Sequence, residues 1–103
     1  MIEILSILDK LNEPSPYRSS AAFAKLGKDT LRFSISNGGS AKGFSASLII
    51  NDGRSGRYTE DNLDSFEEAL GKLDNMYTSY IAYKNRFKGR ELSESDWSDL
   101  LYT

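Results

Sequence analysis

"FSISNGGSAKGFSASLIINDGRSGRY", residues 33–58, decides the fold. The run "TLRFSIS" (30–36) sets Leu31, Phe33 and Ile35 on one side and Arg32, Ser34 and Ser36 on the other, the period of a strand with one covered face. "GFSASLII" (43–50) keeps that alternation through Phe44, Ala46 and Leu48, then becomes aliphatic on both faces at Ile49 and Ile50. Between and after these runs, "NGGSAKG" (37–43) and "NDGRSG" (51–56) supply Asn and Gly, which take positive φ at little cost. A phosphate cradle would need G-x-x-x-x-G-K-[ST] leading into a helix. Here Lys42 precedes Gly43 and a strand follows, while Gly38, Gly39 and Gly43 lack the dinucleotide spacing G-x-G-x-x-G. The stretch therefore reads as strands joined by turns, with Lys42 left as an exposed contact for an anionic partner.

Outward from this centre, "SAAFAKL" (20–26) is a weaker strand, because alanine and lysine are poor strand formers, and "RYTE" (57–60) adds a short fourth. Upstream, Met1, Ile4, Leu5, Leu8 and Leu11 recur at helical spacing. Pro14 and Pro16 hold the residues before them in extended conformations, so 12–18 is a connector. From Leu63 the helical period returns through Phe66, Leu70, Leu73, Tyr77 and Tyr80, widened by Ala69, Met76, Tyr83 and Phe87. Asp64 with Glu67, or Asn62, caps its start; Gly89 ends it, behind Lys84, Arg86 and Lys88, which suit the negative end of the helix dipole. A last short helix, "SESDWSDLLY" (93–102), turns Trp97, Leu100 and Leu101 toward the core. The expected fold is α+β: a short N-terminal helix, a three- to four-stranded antiparallel meander, a long amphipathic helix packed on it, and a short C-terminal helix. Its core gathers Leu5, Leu8, Phe33, Ile35, Leu48, Ile50, Phe66, Leu70, Leu73 and Tyr80.

A chain of 103 residues fits one domain, 1–103, with one modest core. Its 39% apolar and 27% charged residues are ordinary for a folded, water-soluble protein, and its formal charge of −2 promises no general affinity for nucleic acid. Cysteine and histidine are both absent, which excludes disulfides, thiolate nucleophiles, imidazole acid–base chemistry and the common zinc sites. The opening "MIEILSILDKL" is too short and too acidic for a membrane span or a secretory signal, so the expected location is the cytoplasm.

Candidate sites are few. "NDGRSGRYTEDN" (51–62) mixes Asp, Asn and Gly but lacks the ordered carboxylates of a calcium loop. Arg54 and Arg57 at its tip are two guanidiniums able to fork onto carboxylates or phosphates. Glu60, Asp61, Asp64, Glu67 and Glu68 favour a helix start more simply than they form an acid–base pair, and the serines have no base at a recognisable spacing. "YTSYIAYKNRFKGR" (77–90) offers aromatic faces and cations suited to single-stranded nucleic acid, although Tyr77, Tyr80, Tyr83 and Phe87 keep the spacing of a buried face. No catalytic residue, metal or cofactor is expected.

"LIINDG" (48–53), then "SFEEALGKLDNM" (65–76) and an acidic terminal segment, form a layout that resembles small phage-encoded inhibitors of the anti-CRISPR type. Some of these combine a leading helix, a three-stranded antiparallel sheet and two further helices, and occupy a host protein's nucleic-acid-binding surface. The resemblance implies a non-enzymatic protein-interaction module. The expected partner-binding residues, chosen by their charge and position, are Arg54, Arg57, Glu60, Asp61, Asp64, Glu94 and Asp96. The alternative is a small nucleic-acid-associated protein using Lys42, Arg54, Arg57, Lys84, Arg86, Lys88 and Arg90.

Overall fold

Residues 4–39 and 42–86 are described by a computed structural model. In chain order they form α1 (Ile4–Leu8), β1 (Arg18–Leu26), β2 (Asp29–Asn37), β3 (Phe44–Ile50), a 3₁₀ turn (Asn51–Gly53), β4 (Gly56–Leu63) and α2 (Phe66–Arg86). The four strands make one antiparallel sheet in the order β1-β2-β3-β4, a meander, and α2 packs across it. The sequence-based expectation of an α+β fold with a three- to four-stranded meander under a long helix is met, with four strands. The C-terminal helix expected over 93–102, the helix end at Gly89, and Phe87, Lys88, Arg90, Glu94 and Asp96 lie outside the described residues. No described helix is long and apolar enough to cross a membrane.

Strand alternation decides which face is covered. Ala22 on β1, the strand that α1 meets, is buried, and Leu31, Phe33 and Ile35 on β2 and Ala46, Leu48 and Ile50 on β3 are buried under α2. From α2, Ala69, Leu73, Met76, Tyr77, Tyr80 and Tyr83 meet them. The rings of Phe33 and Tyr77 lie 6.0 Å apart at 54°, in the tilted geometry that aromatic pairs prefer. Phe66 and Leu70, expected in the centre of the helix stripe, are half-buried at its margin. The small side chain of Ala69, fully buried, lets the helix approach the sheet there.

Two expectations are corrected by local geometry. Leu5, placed in the core by helical spacing, is 62% exposed, and Ile7 is buried instead. The reason is that Ile4, Ile7, Leu8 and Leu11 share one face at ordinary helical spacing, and Leu5, whose carbonyl accepts from Asp9 N (3.0 Å), lies off that face. The long helix begins at Phe66 rather than Leu63, because β4 runs on through Leu63 to pair it with Phe44. Its cap is Ser65, whose Oγ accepts from Glu68 N (3.1 Å), while Glu68 Oε2 accepts from Asp64 N (2.9 Å). This is a capping-box variant shifted by one residue from the Asp64/Glu67 reading, with Glu68 reaching the amide before the cap. Ser65→Ala should lower stability by about 1 kcal/mol, and a change too small to detect in urea unfolding would mean that the hydroxyl does not hold the helix start.

Candidate binding face

The second face of the sheet has no described element over it. Strand register lines up Phe23 with Arg32, Arg32 with Ile49, and Ile49 with Arg57, one residue from each strand. Neighbouring strands stand about 4.8 Å apart, so the two arginines sit roughly 10 Å from each other across the face. Phe23 is 62% exposed, and both arginines are exposed. Ile49 between them is buried, as happens where long flanking side chains lay their aliphatic stems over an apolar neighbour. One row toward the start of β1 come Ala21, Ser34, Ser47 and Thr59 in register, with the Ser47 and Thr59 hydroxyls 3.2 Å apart. Beyond them are Ser19, Ser36 and Ser45. Lys25 and Thr30 pair at the other end.

The face thus carries Lys25, Arg32 and Arg57, and among the described residues no carboxylate occupies a paired position on it. The chain as a whole is acidic, at −2. Charge is therefore segregated rather than mixed.

The turn beside this face is built by Asn51. Its Oδ1 accepts from Thr30 N (2.8 Å), and its Nδ2 donates to Ser55 Oγ (2.8 Å) and Asp29 Oδ1 (3.1 Å). Asn51 and Asp52 have φ of 52° and 57°, a region Asn and Asp tolerate better than other side chains. Arg54 Nε donates to Asn51 O (3.3 Å), and the Arg57 guanidinium reaches back over Gly53, with Nη2 3.9 Å from where a Cβ would stand. The two predicted arginines consequently share one tip.

At the far end of β1, a cleft of 680 Å³ is lined by Tyr17, Arg18, Ser19, Ser36, Asn37 and Ser45, among others. Tyr17 is 83% exposed and has φ of 65°. A left-handed backbone is uncommon for an aromatic residue and has to be held by its surroundings. Here Tyr17 N donates to Asn37 O (2.7 Å), and Asn37 Nδ2 donates to Pro14 O (2.9 Å). The ring lies over Gly39, where a Cβ would come within 2.8 Å of its Cζ.

The acidic candidates are dispersed. Glu60 is on the helix-facing side of β4, half-buried, and accepts from Tyr58 Oη (3.3 Å). Asp61 is exposed in the stretch where the β3–β4 register shifts, and Asp64 is exposed just before the helix cap. The aromatic run of the long helix belongs to the core: Tyr77, Tyr80 and Tyr83 are buried. Lys84 is spent on Asp29, with which it forms an ion pair, and stands 5.8 Å from the Tyr80 ring centroid. Asp29 also accepts from Tyr80 Oη (2.9 Å). Burial alone would push the Asp29 carboxyl up, but hydrogen bonds from Lys84, Asn51 and Tyr80, with the Lys84 charge, hold it below the usual carboxylate value. Burial, then the bond to Asp29, pushes the Tyr80 hydroxyl far up, so it stays a donor.

Arg54 and Arg57 are legible as a pair in the sequence; Phe23, Arg32, Lys25 and Tyr17 belong to no motif there. The available signal was Phe23 itself, a large aromatic out of phase with the small residues Ala22 and Ala24. No three His, Cys, Asp or Glu side chains gather as a metal site among the described residues. Set against known proteins, the chain matches no family model, no curated protein and no solved structure.

Proposed function

We propose that this chain is a non-enzymatic interaction module that docks an anionic macromolecular surface on the open face of its sheet. The observation that carries the reading is the ladder Phe23–Arg32–Ile49–Arg57, with Lys25 at its border, on the basic face of an otherwise acidic chain. Arginine suits this role because its planar fork meets carboxylate or phosphate oxygens in pairs. Exposed apolar surface beside such cations is the composition of a contact surface. Among the described residues, the tight cluster of the titratable side chains Asp29, Tyr80 and Lys84 is taken up in joining the helix to the turn, which favours a packing role over chemistry.

An inhibitor that mimics nucleic acid would lead with carboxylates. Glu60 is engaged with Tyr58 and Glu68 with the Asp64 amide, which leaves Asp61, Asp64 and Glu67 as exposed carboxylates of that stretch, so the acidic side supports that reading less well.

Heparin, a generic polyanion, tests the proposal directly. The protein should be retained at low ionic strength in spite of its net charge and be released as salt rises, since screening weakens contacts between exposed charges. Arg32→Glu with Arg57→Glu should pass unretained with an unchanged far-UV spectrum, whereas Asp61→Lys with Asp64→Lys should still be held. Passage of the unmodified protein at low salt would sink the reading.

A further inference from the structure

We propose that the ligand of this face is single-stranded nucleic acid, with Phe23 and Tyr17 as stacking platforms and Arg32, Arg57 and Lys25 as phosphate contacts; the inference rests on the open face being the contact surface. Three exposed large apolar side chains are found among the described residues, and two of them, Tyr17 and Phe23, stand at the same face. They are six positions apart along or just before β1, a span of roughly 20 Å at about 3.3 Å per residue, enough for a few nucleotides. Between them the face carries Ser19, Ala21, Ser34, Ser36, Ser45 and Ser47, all small. Bases can therefore approach the backbone plane, and hydroxyls are available to their edges.

Tyr17 adds an independent observation. A core aromatic is held by burial, yet this ring is 83% exposed on a backbone with φ of 65°, supported by Asn37 and laid over Gly39. The structure holds in place a ring that gains little from packing in the free protein. Ring faces select for the partner as well. An acidic protein patch satisfies arginines without itself calling for exposed rings, and duplex DNA hides its base faces and is read through grooves by a helix or a two-stranded ribbon. Unstacked bases on a charged strand meet both features at once.

Anisotropy of a labelled oligothymidine of about 12 nucleotides, a length within the usual site sizes, tests this on the full chain. Binding should weaken with salt at a log–log slope near −2, about 0.7 for each of three neutralised phosphates. Phe23→Ala and Tyr17→Ala should each weaken oligonucleotide binding by about 5- to 100-fold while leaving heparin retention unchanged, and Phe23→Trp should restore it. Phe23 is largely exposed, so its variants are expected to melt like the parent. Heparin retention without oligonucleotide binding would overturn the inference, assign the face to acidic protein partners and leave the docking reading standing. Duplex bound as tightly as single strand, or alanine variants without effect, would overturn it equally. Failure to bind either probe would remove both readings.

Discussion

Leu73→Ala should destabilise the protein by about 2–5 kcal/mol in urea unfolding. Leu73 has no exposed surface and lies in the cluster that joins α2 to Leu31, Phe33, Ile35, Leu48 and Ile50. Its removal forfeits the transfer free energy of the lost carbons, and it also leaves a cavity. Stiff neighbours such as Phe33, Tyr77 and Tyr80, packed ring to ring, relax poorly into that space. At about 4–8 °C per kcal/mol for a chain of this size, the melting temperature should fall by roughly 10 °C or more. Two controls sharpen the result. Leu70→Ala, at the half-buried margin of the helix, should cost less, and Leu5→Ala should fall within about 0.5 kcal/mol of zero because the side chain is mostly exposed. Equal costs at Leu5 and Leu73 would mean that the helix does not cover the sheet as described.

Asp29 should prove the costliest polar position. Asp29→Ala takes the acceptor from Tyr80 Oη, Asn51 Nδ2 and Lys84 Nζ together, and orphaning a buried donor costs about 1–3 kcal/mol. Lys84 is about a third exposed and can turn to water, so most of the loss should come from the buried Tyr80 hydroxyl. The pH dependence gives a separate signature. The folded carboxyl is held below its ordinary value, so on unfolding it takes up protons more readily than when folded. Its contribution is therefore complete above about pH 4, the unfolded carboxylate value, and is lost as pH falls through the lower folded value. Asp29→Asn, which keeps an acceptor without the charge, should flatten the acid limb of the stability curve relative to the parent. Parallel curves between neutral and acid pH would show that Asp29 is not the group responsible.

Segment type and facing were legible wherever one segment carried its own pattern. Leu31, Phe33 and Ile35 fixed a strand with a covered side, and Leu73, Tyr77 and Tyr80 fixed a helix face, because periods of two and of 3.6 residues are written in consecutive side chains. The same local logic misled at Leu5, which lies just off the helical face made by Ile4, Ile7, Leu8 and Leu11, and at the start of α2. There Ser65 and Asp64 are both acceptable caps, and the pairing of Leu63 with Phe44 chose between them. The absence of histidine and cysteine narrowed the chemistry before any fold was known. Arg54 and Arg57 could be paired by reading because one turn contains both. Phe23, Arg32, Ile49 and Arg57 could not, since they come from four strands and become neighbours only through register. Register is a relation between distant segments, set by turn geometry and by the demand that every strand turn its apolar side to the same core. The same demand leaves Phe23 and the arginines together on the opposite side, so the sequence determined which residues each strand turns outward, and only the tertiary structure decided that they form one surface.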